Sequence, residues 1–267
     1  MTTGDDAESE IPPPAEVTEE VRSLLRGLQR IVDPRNALAA AQRPVGAAWK
    51  GVTREEPRVQ VTIAVVVAIA LIVALPARVA NHPRWVLPGL AALLLIGVFI
   101  ARSAGGERRA GALRAVSLAL IAVMSISNAT SAARLVVDLV RGEGIQNAST
   151  LLLTGGAIWL TNVIVFGLWY WEFDRGGPLE RAKGTNPYPD FLFPQMSTPE
   201  LSPPDWEPGF VDYLYMSFTN AMAFSPTDVM PMTRWAKLTM LVQSLISVMT
   251  LALVIARAVN ILRSPNG

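Results

Sequence analysis

The sequence predicts an all-α integral membrane protein with five transmembrane helices and a short re-entrant helix before the last span. Three observations carry that expectation. Of 267 residues, 51% are hydrophobic and only 17% charged, where a soluble domain carries about 25% charge. The apolar residues are gathered into runs rather than spread at one-face spacing, which suits a bilayer better than one large core. Near the C-terminus a short apolar segment, Phe210 to Ala221, precedes a polar loop and a long apolar run from Trp235 to Leu262. The short segment cannot cross about 30 Å of hydrocarbon, whereas the long one can.

Composition also excludes several functions. A net charge of +1 leaves no basic face for phosphates, so no nucleic-acid partner is expected. The absence of cysteine removes disulfides and thiol catalysis. His82 is the only histidine, so neither a metal site nor a cofactor is expected. No HExxH, GxSxG or phosphate-loop pattern occurs, and the chain is not expected to be an enzyme. The partner expected from composition is the lipid bilayer. Arginine far outnumbers lysine and alanine and valine abound, which points to a bacterial protein of the inner membrane.

In chain order, residues 1–58 form an N-terminal region. The start, MTTGDDAESE, is acidic and polar, unlike a signal peptide. From 15 to 33, Val17, Val21, Leu24, Leu25, Leu28, Ile31 and Val32 share one helical face beside Arg22, Arg26 and Arg30. Such a helix lies on an anionic membrane surface, pairs with a sister subunit, or packs on its own protein. Residues 59–148 hold the first three spans: Val59–Leu75, Val86–Ala101 and Ala112–Val140. His82 falls in an exposed turn between the first two. Arg102, Arg108, Arg109 and Arg114 make a basic loop between the second and third.

The third span differs from the others. Ser127, Asn128, Ser131, Arg134 and Asp138 lie within roughly 120° of one another around a helix, and Arg134 and Asp138, four apart, can pair. A polar stripe in a span faces protein or water, not lipid. It is either a lining surface or a helix end emerging at the interface with its charges snorkelling.

Residues 149–267 form the C-terminal module. Its outer helix, 149–171, contains Gly155-Gly156, which permits close helix approach, and ends in interfacial Trp169, Tyr170 and Trp171. The loop at 172–209 is proline-rich and acidic, and either concentrates cations or is simply solvated. The short helix and its loop occupy 210–233, and the inner helix 234–262. On the inner helix Gln243, Ser247, Thr250 and Arg257 lie within about 80°, either lining a lumen or bonding back to their own helix.

These residues carry a resemblance. Asp212–Asn220 (DYLYMSFTN), followed by Asp228, Pro231, Thr233 and RWAKLTMLVQSLIS, looks like the pore module of the potassium-channel superfamily without a gap. There a segment of the form YFSFTT, a glycine-rich filter and D-x-x-P-x-T precede the inner helix. The whole chain is also similar to an uncharacterised bacterial family of multi-spanning proteins with this degenerate C-terminus.

The resemblance implies a homo-oligomer, a tetramer, around a pathway for a monovalent cation, with Thr219, Asn220 and the loop at the filter position. The filter itself departs from the pattern. Ala223, Phe224, Ser225, Pro226 and Thr227 replace the glycine-rich segment, and without glycine successive carbonyls cannot all turn toward an ion. What remains for a cation is Asp228, the Ser225 and Thr227 hydroxyls and the Asn220 amide. The alternative is a non-conducting structural or regulatory membrane protein that keeps the module as a packing unit.

Charge and resemblance disagree over orientation. Channel modules place their loop outside. With the N-terminus inside, most basic loop residues fall inside, and Arg78, Arg84, Arg141 and Arg263 fall outside. The positive-inside rule therefore favours an internal N-terminus.

Overall fold

The computed structural model describes residues 59–80, 83, 85–102, 107–184, 186, 188–203, 206–222 and 228–263. The amphipathic segment at 15–33, His82 and Ala223–Thr227 lie outside the described residues.

The fold is helical. The main elements are α1 (Val59–Ala74), α2 (Val86–Arg102), α3 (Glu107–Arg141), α4 (Ala148–Phe173), α5 (Pro178–Lys183), β1 (Phe191–Leu192), α6 (Pro194–Ser197), α7 (Phe210–Met222), β2 (Met230–Pro231) and α8 (Arg234–Arg263). Among the described residues, α3, α4 and α8 are long and apolar enough to cross a membrane. The two remaining apolar helices are shorter, with 16 residues in α1 and 17 in α2. At 1.5 Å per residue they reach about 24 and 26 Å, less than the ~30 Å hydrocarbon layer.

Helix ends follow local chemistry. Asn147 caps α4, its side chain accepting from the Thr150 amide at 2.9 Å, a cap worth about 1 kcal/mol. The other end of α4 is turned by Arg175, Gly176 and Gly177 at φ 52°, 85° and 97°. Arg175 holds this left-handed conformation while its amide donates to Asp190 Oδ2 at 2.8 Å. Pro178 opens α5, and Gly184 closes it at φ 64°.

The bundle is built around α4. Of its most apolar window, 61% is buried, against 28% for α3 and for α8, because α4 touches α1, α3, α7 and α8. Two clusters show which helix ends meet. Leu75, Val79, Leu135, Leu151, Ile158 and Val254 pack at one end. At the other, Leu120, Leu168, Tyr170, Phe191, Tyr213 and Met240 belong to the larger cluster. The connection from Asp174 to Gly209 folds over this second end.

That connection is more ordered than a solvated acidic loop. Its strand β1 pairs antiparallel with β2, Phe191 opposite Pro231 and Leu192 opposite Met230. Phe191 stacks edge-on against Tyr170 and Trp235 at 5.1 and 5.5 Å, and Phe193 against Tyr213 at 5.3 Å. Asp174 is fully buried. A carboxylate so placed must be bonded to stay, so its role here is structural.

Candidate functional site

The site begins with how α7 is held. Phe210, at its start, packs on Trp171 at 6.2 Å, at the capped end of the bundle. Asp212 Oδ2 accepts from the Gly209 amide at 2.8 Å and fixes the first turn. The helix then runs inward between α4 and α8. Gly167 makes room for it, since a Cβ there would sit 3.3 Å from Leu214 Cα. After residues 223–227 the chain is back at the end it left, where β2 joins β1 and the Met232 amide donates to Asp190 O at 2.8 Å.

The inner part of α7 is bound by polar contacts. Gln243 is fully buried. Its amide nitrogen donates to Ser217 O at 2.9 Å and Ser217 Oγ at 2.7 Å. Its Oε1 accepts from the Tyr170 hydroxyl at 2.6 Å and from Asn220 Nδ2 at 2.7 Å. Ser217 Oγ in turn donates to Val163 O at 2.7 Å. Asn220 also donates to Met240 O at 3.0 Å and accepts at Oδ1 from Ser244 Oγ at 3.2 Å. One turn deeper, Asn162 donates to Ser247 Oγ at 3.0 Å. This network fastens α7 to α4 and α8 in the bundle interior.

Comparison with protein-family models, curated proteins and solved structures finds no match. The site is therefore read from its geometry alone.

The residues singled out in the sequence fall into separate places. Asn220 and Gln243 meet. Thr219 bonds back to Tyr215 O and Met216 O, both at 3.0 Å. Asp228 is exposed beyond α7, and the five filter-equivalent residues between are outside the described set. Gln243, Ser247 and Thr250 do share a face, but their own chain covers it: they are 0%, 0% and 2% exposed. Within this chain the face is turned toward α4 and α7. The open face of α8 is apolar, with Leu238, Leu241, Leu245 and Met249 more than half exposed. Arg257 lies at the opposite end, its Nη2 3.4 Å from Gln146 Oε1.

The stripe on α3 is also inward. Asn128 and Ser131 are buried, and among the described residues Asn128 Oδ1 and Ser131 Oγ meet no hydrogen-bond partner. Arg134 and Asp138 do not pair with each other. Asp138 Oδ2 accepts from Arg78 Nε at 2.9 Å, and Arg134 donates to the Ala80 carbonyl. Both reach the turn after α1, which offers a cation and a carbonyl closer than the i,i+4 alternative.

A second polar centre, absent from the sequence reading, locks the capped end. Asp174 Oδ1 accepts from the Asp190 amide at 2.9 Å and the Phe191 amide at 3.4 Å, and Oδ2 from the Tyr213 hydroxyl at 2.6 Å. Asp190 Oδ1 in turn accepts from Trp235 Nε1 at 2.9 Å. Arg181 donates to Trp171 O at 2.6 Å and lies 5.3 Å from the Tyr213 ring. Burial pushes the Tyr213 phenol well above its ordinary range, so at neutral pH it keeps its proton and donates. Asn162 and Ser217 gave one readable signal, since polar side chains inside apolar segments want partners. Asp174 gave none, because its partners lie up to 39 residues away.

Proposed function

We propose that this chain is a channel-like integral membrane protein of the bacterial plasma membrane. In this reading α1, α2, α3, α4 and α8 are five spans, the N-terminus is inside, and α7 is a re-entrant half-helix. Copies assemble as a homo-oligomer, a tetramer by resemblance, in which Asp228 of each copy contributes to a ring that admits a monovalent cation. One observation carries the reading. A 13-residue helix is wedged by Gln243, Ser217 and Asn220 between two membrane-length helices, and Met230–Pro231 beyond it pairs at the end from which it entered. That arrangement supports the pore-loop reading. The exposed apolar face of α8, not the Gln243 face, is then turned to the axis or to a neighbouring copy.

The test joins assembly to flux. In mild detergent the chain is expected to run as an oligomer, and in liposomes to pass potassium or sodium. Asp228→Asn is expected to lower that flux about tenfold, equivalent to ~1.4 kcal/mol on cation entry. A monomer, or liposomes no leakier than protein-free ones, would sink the proposal.

One observation favours a second reading, a non-conducting structural or regulatory protein that keeps the module as a packing unit. Gln243 and Ser247, on the polar face of α8, find their partners inside one chain. Under that reading Asp228→Asn leaves flux at background.

A further inference from the structure

The stripe on α3 holds two polar atoms that the bundle encloses and does not bond. Asn128 is 3% exposed and Ser131 0%, and among the described residues Asn128 Oδ1 and Ser131 Oγ meet no hydrogen-bond partner. Buried polar groups rarely stay unbonded, because each then keeps its full desolvation cost. In a membrane interior no bulk water relieves that cost. Neighbouring hydroxyls solve the problem locally. Those of Ser125, Thr154 and Thr161 turn back to the carbonyls of Ile121, Thr150 and Ala157, each at 2.7 Å. The carbonyl that Ser131 would use in this way is Ser127 O, which already accepts from Thr130 Oγ1 at 2.9 Å. With the i→i−4 bond of the helix itself, both of its lone pairs are taken.

Spacing and charge narrow what the two atoms hold. Residues three apart on a helix carry their Cβ atoms about 5–6 Å from each other. One water, about 2.8 Å from each partner, bridges such a gap, donating to Oδ1 and accepting from the Ser131 hydroxyl. A cation is opposed by Arg134, one turn further on, which donates to the Ala80 carbonyl. An anion is opposed by the Asn128 oxygen. The depth is that of the interior polar network. Trp169 Nε1 donates to Ser125 Oγ at 2.8 Å, which sets α3 against α4. Ser131 lies six residues along α3 from that contact, and Asn162, which bonds Ser247 Oγ at 3.0 Å, seven residues back along α4. At 1.5 Å per residue these are about 9 and 10.5 Å from it, so the two stand at nearly one level.

We propose that Asn128 and Ser131 bind one ordered water molecule, bridged between Asn128 Oδ1 and Ser131 Oγ at the level of the Asn162–Ser247 bond. The water satisfies the inward stripe of α3 and so keeps that face of the helix turned into the bundle. The site stands whether or not the chain conducts.

The full chain would be studied in two ways. A density map of the protein in nanodiscs, fine enough to show ordered solvent, is expected to hold a peak within hydrogen-bond distance of both atoms. Unfolding in a denaturing-detergent titration would be compared for wild type, Asn128→Leu, Ser131→Ala and the double variant. Because either substitution removes the same water, each is expected to raise the unfolding constant about threefold or more, and the double variant no more than about twofold beyond the larger single. Two atoms without a ligand give the opposite sign, since replacing each by an apolar group removes a desolvation cost. Ser131→Ala takes away one oxygen and no carbon, so it decides the sign should Asn128→Leu not fold. A map without that peak, single variants as stable as wild type or more so, or losses that simply add would overturn the proposal.

Discussion

A glutamine side chain offers two donors and two acceptor positions, and Gln243 places all four in the interior. Removing it is costly because its partners stay behind. In Gln243→Leu the Tyr170 hydroxyl loses the acceptor it uses, and the Asn220 and Ser217 groups each lose a bond. The expected destabilisation is on the order of 2–3 kcal/mol, read as an earlier unfolding midpoint in a denaturing-detergent titration. Ser247→Ala removes only the acceptor for Asn162 and should cost less than half as much. Equal midpoints for wild type and Gln243→Leu would show that the network does not hold α7. The same residues show what spacing alone can reveal. Helical periodicity put Gln243, Ser247 and Thr250 on one face, and they share one. It is silent about what covers a face, and the covering helices α4 and α7 are distant in sequence. Arg134 and Asp138 illustrate the same point, since Arg78, 60 residues from Asp138, outcompetes the local partner.

At the scale of elements, two adjacent glycines on α4 do different work. A Cβ on Gly155 would meet Val254 Cγ2 at 2.7 Å and Cγ1 at 2.8 Å, whereas one on Gly156 would meet nothing within 4 Å. Gly155 therefore sets the approach of α4 and α8. Gly155→Ala is expected to cost about 1–3 kcal/mol by overpacking, and Gly156→Ala to be neutral or slightly stabilising through helix propensity. Equal thermal shifts for the two variants would refute this. The sequence showed the glycine pair but not which member mattered, because that depends on the rotation of α4 against a helix a hundred residues on. Helix extents were far more legible. The inner helix, expected at 234–262, runs from Arg234 to Arg263, since a long apolar run between polar ends leaves little freedom. The capped end was least legible. Asp174, Asp190, Tyr213 and Trp235 come from four segments whose common property is a place in space, not a pattern.

For the whole molecule, Phe191 and Phe210 stand at one end of the bundle and Val79 and Ile145 at the other. Charge then sets the direction of insertion. With an internal N-terminus and five spans, Gly267 lies outside. A reporter active only in the periplasm, fused after Gly267, should be active. A silent reporter beside an active cytoplasmic one would reverse the orientation and place the α7 loop on the outer face.

The lock around Asp174 has a consequence for how the chain is made. Helices emerge from the ribosome in order, so α4 and its buried carboxylate arrive before Tyr213 and before the Trp235 that steadies Asp190. Until α7 has emerged Asp174 lacks the Tyr213 hydroxyl, and until Trp235 follows Asp190 lacks its indole donor; such incompletely bonded polar groups are what cellular surveillance acts upon. Completion of the last helix is thus the step that converts a degradable intermediate into a durable one. A message truncated before codon 210, which lacks both Tyr213 and Trp235, should yield little protein even though four of the five apolar segments are intact.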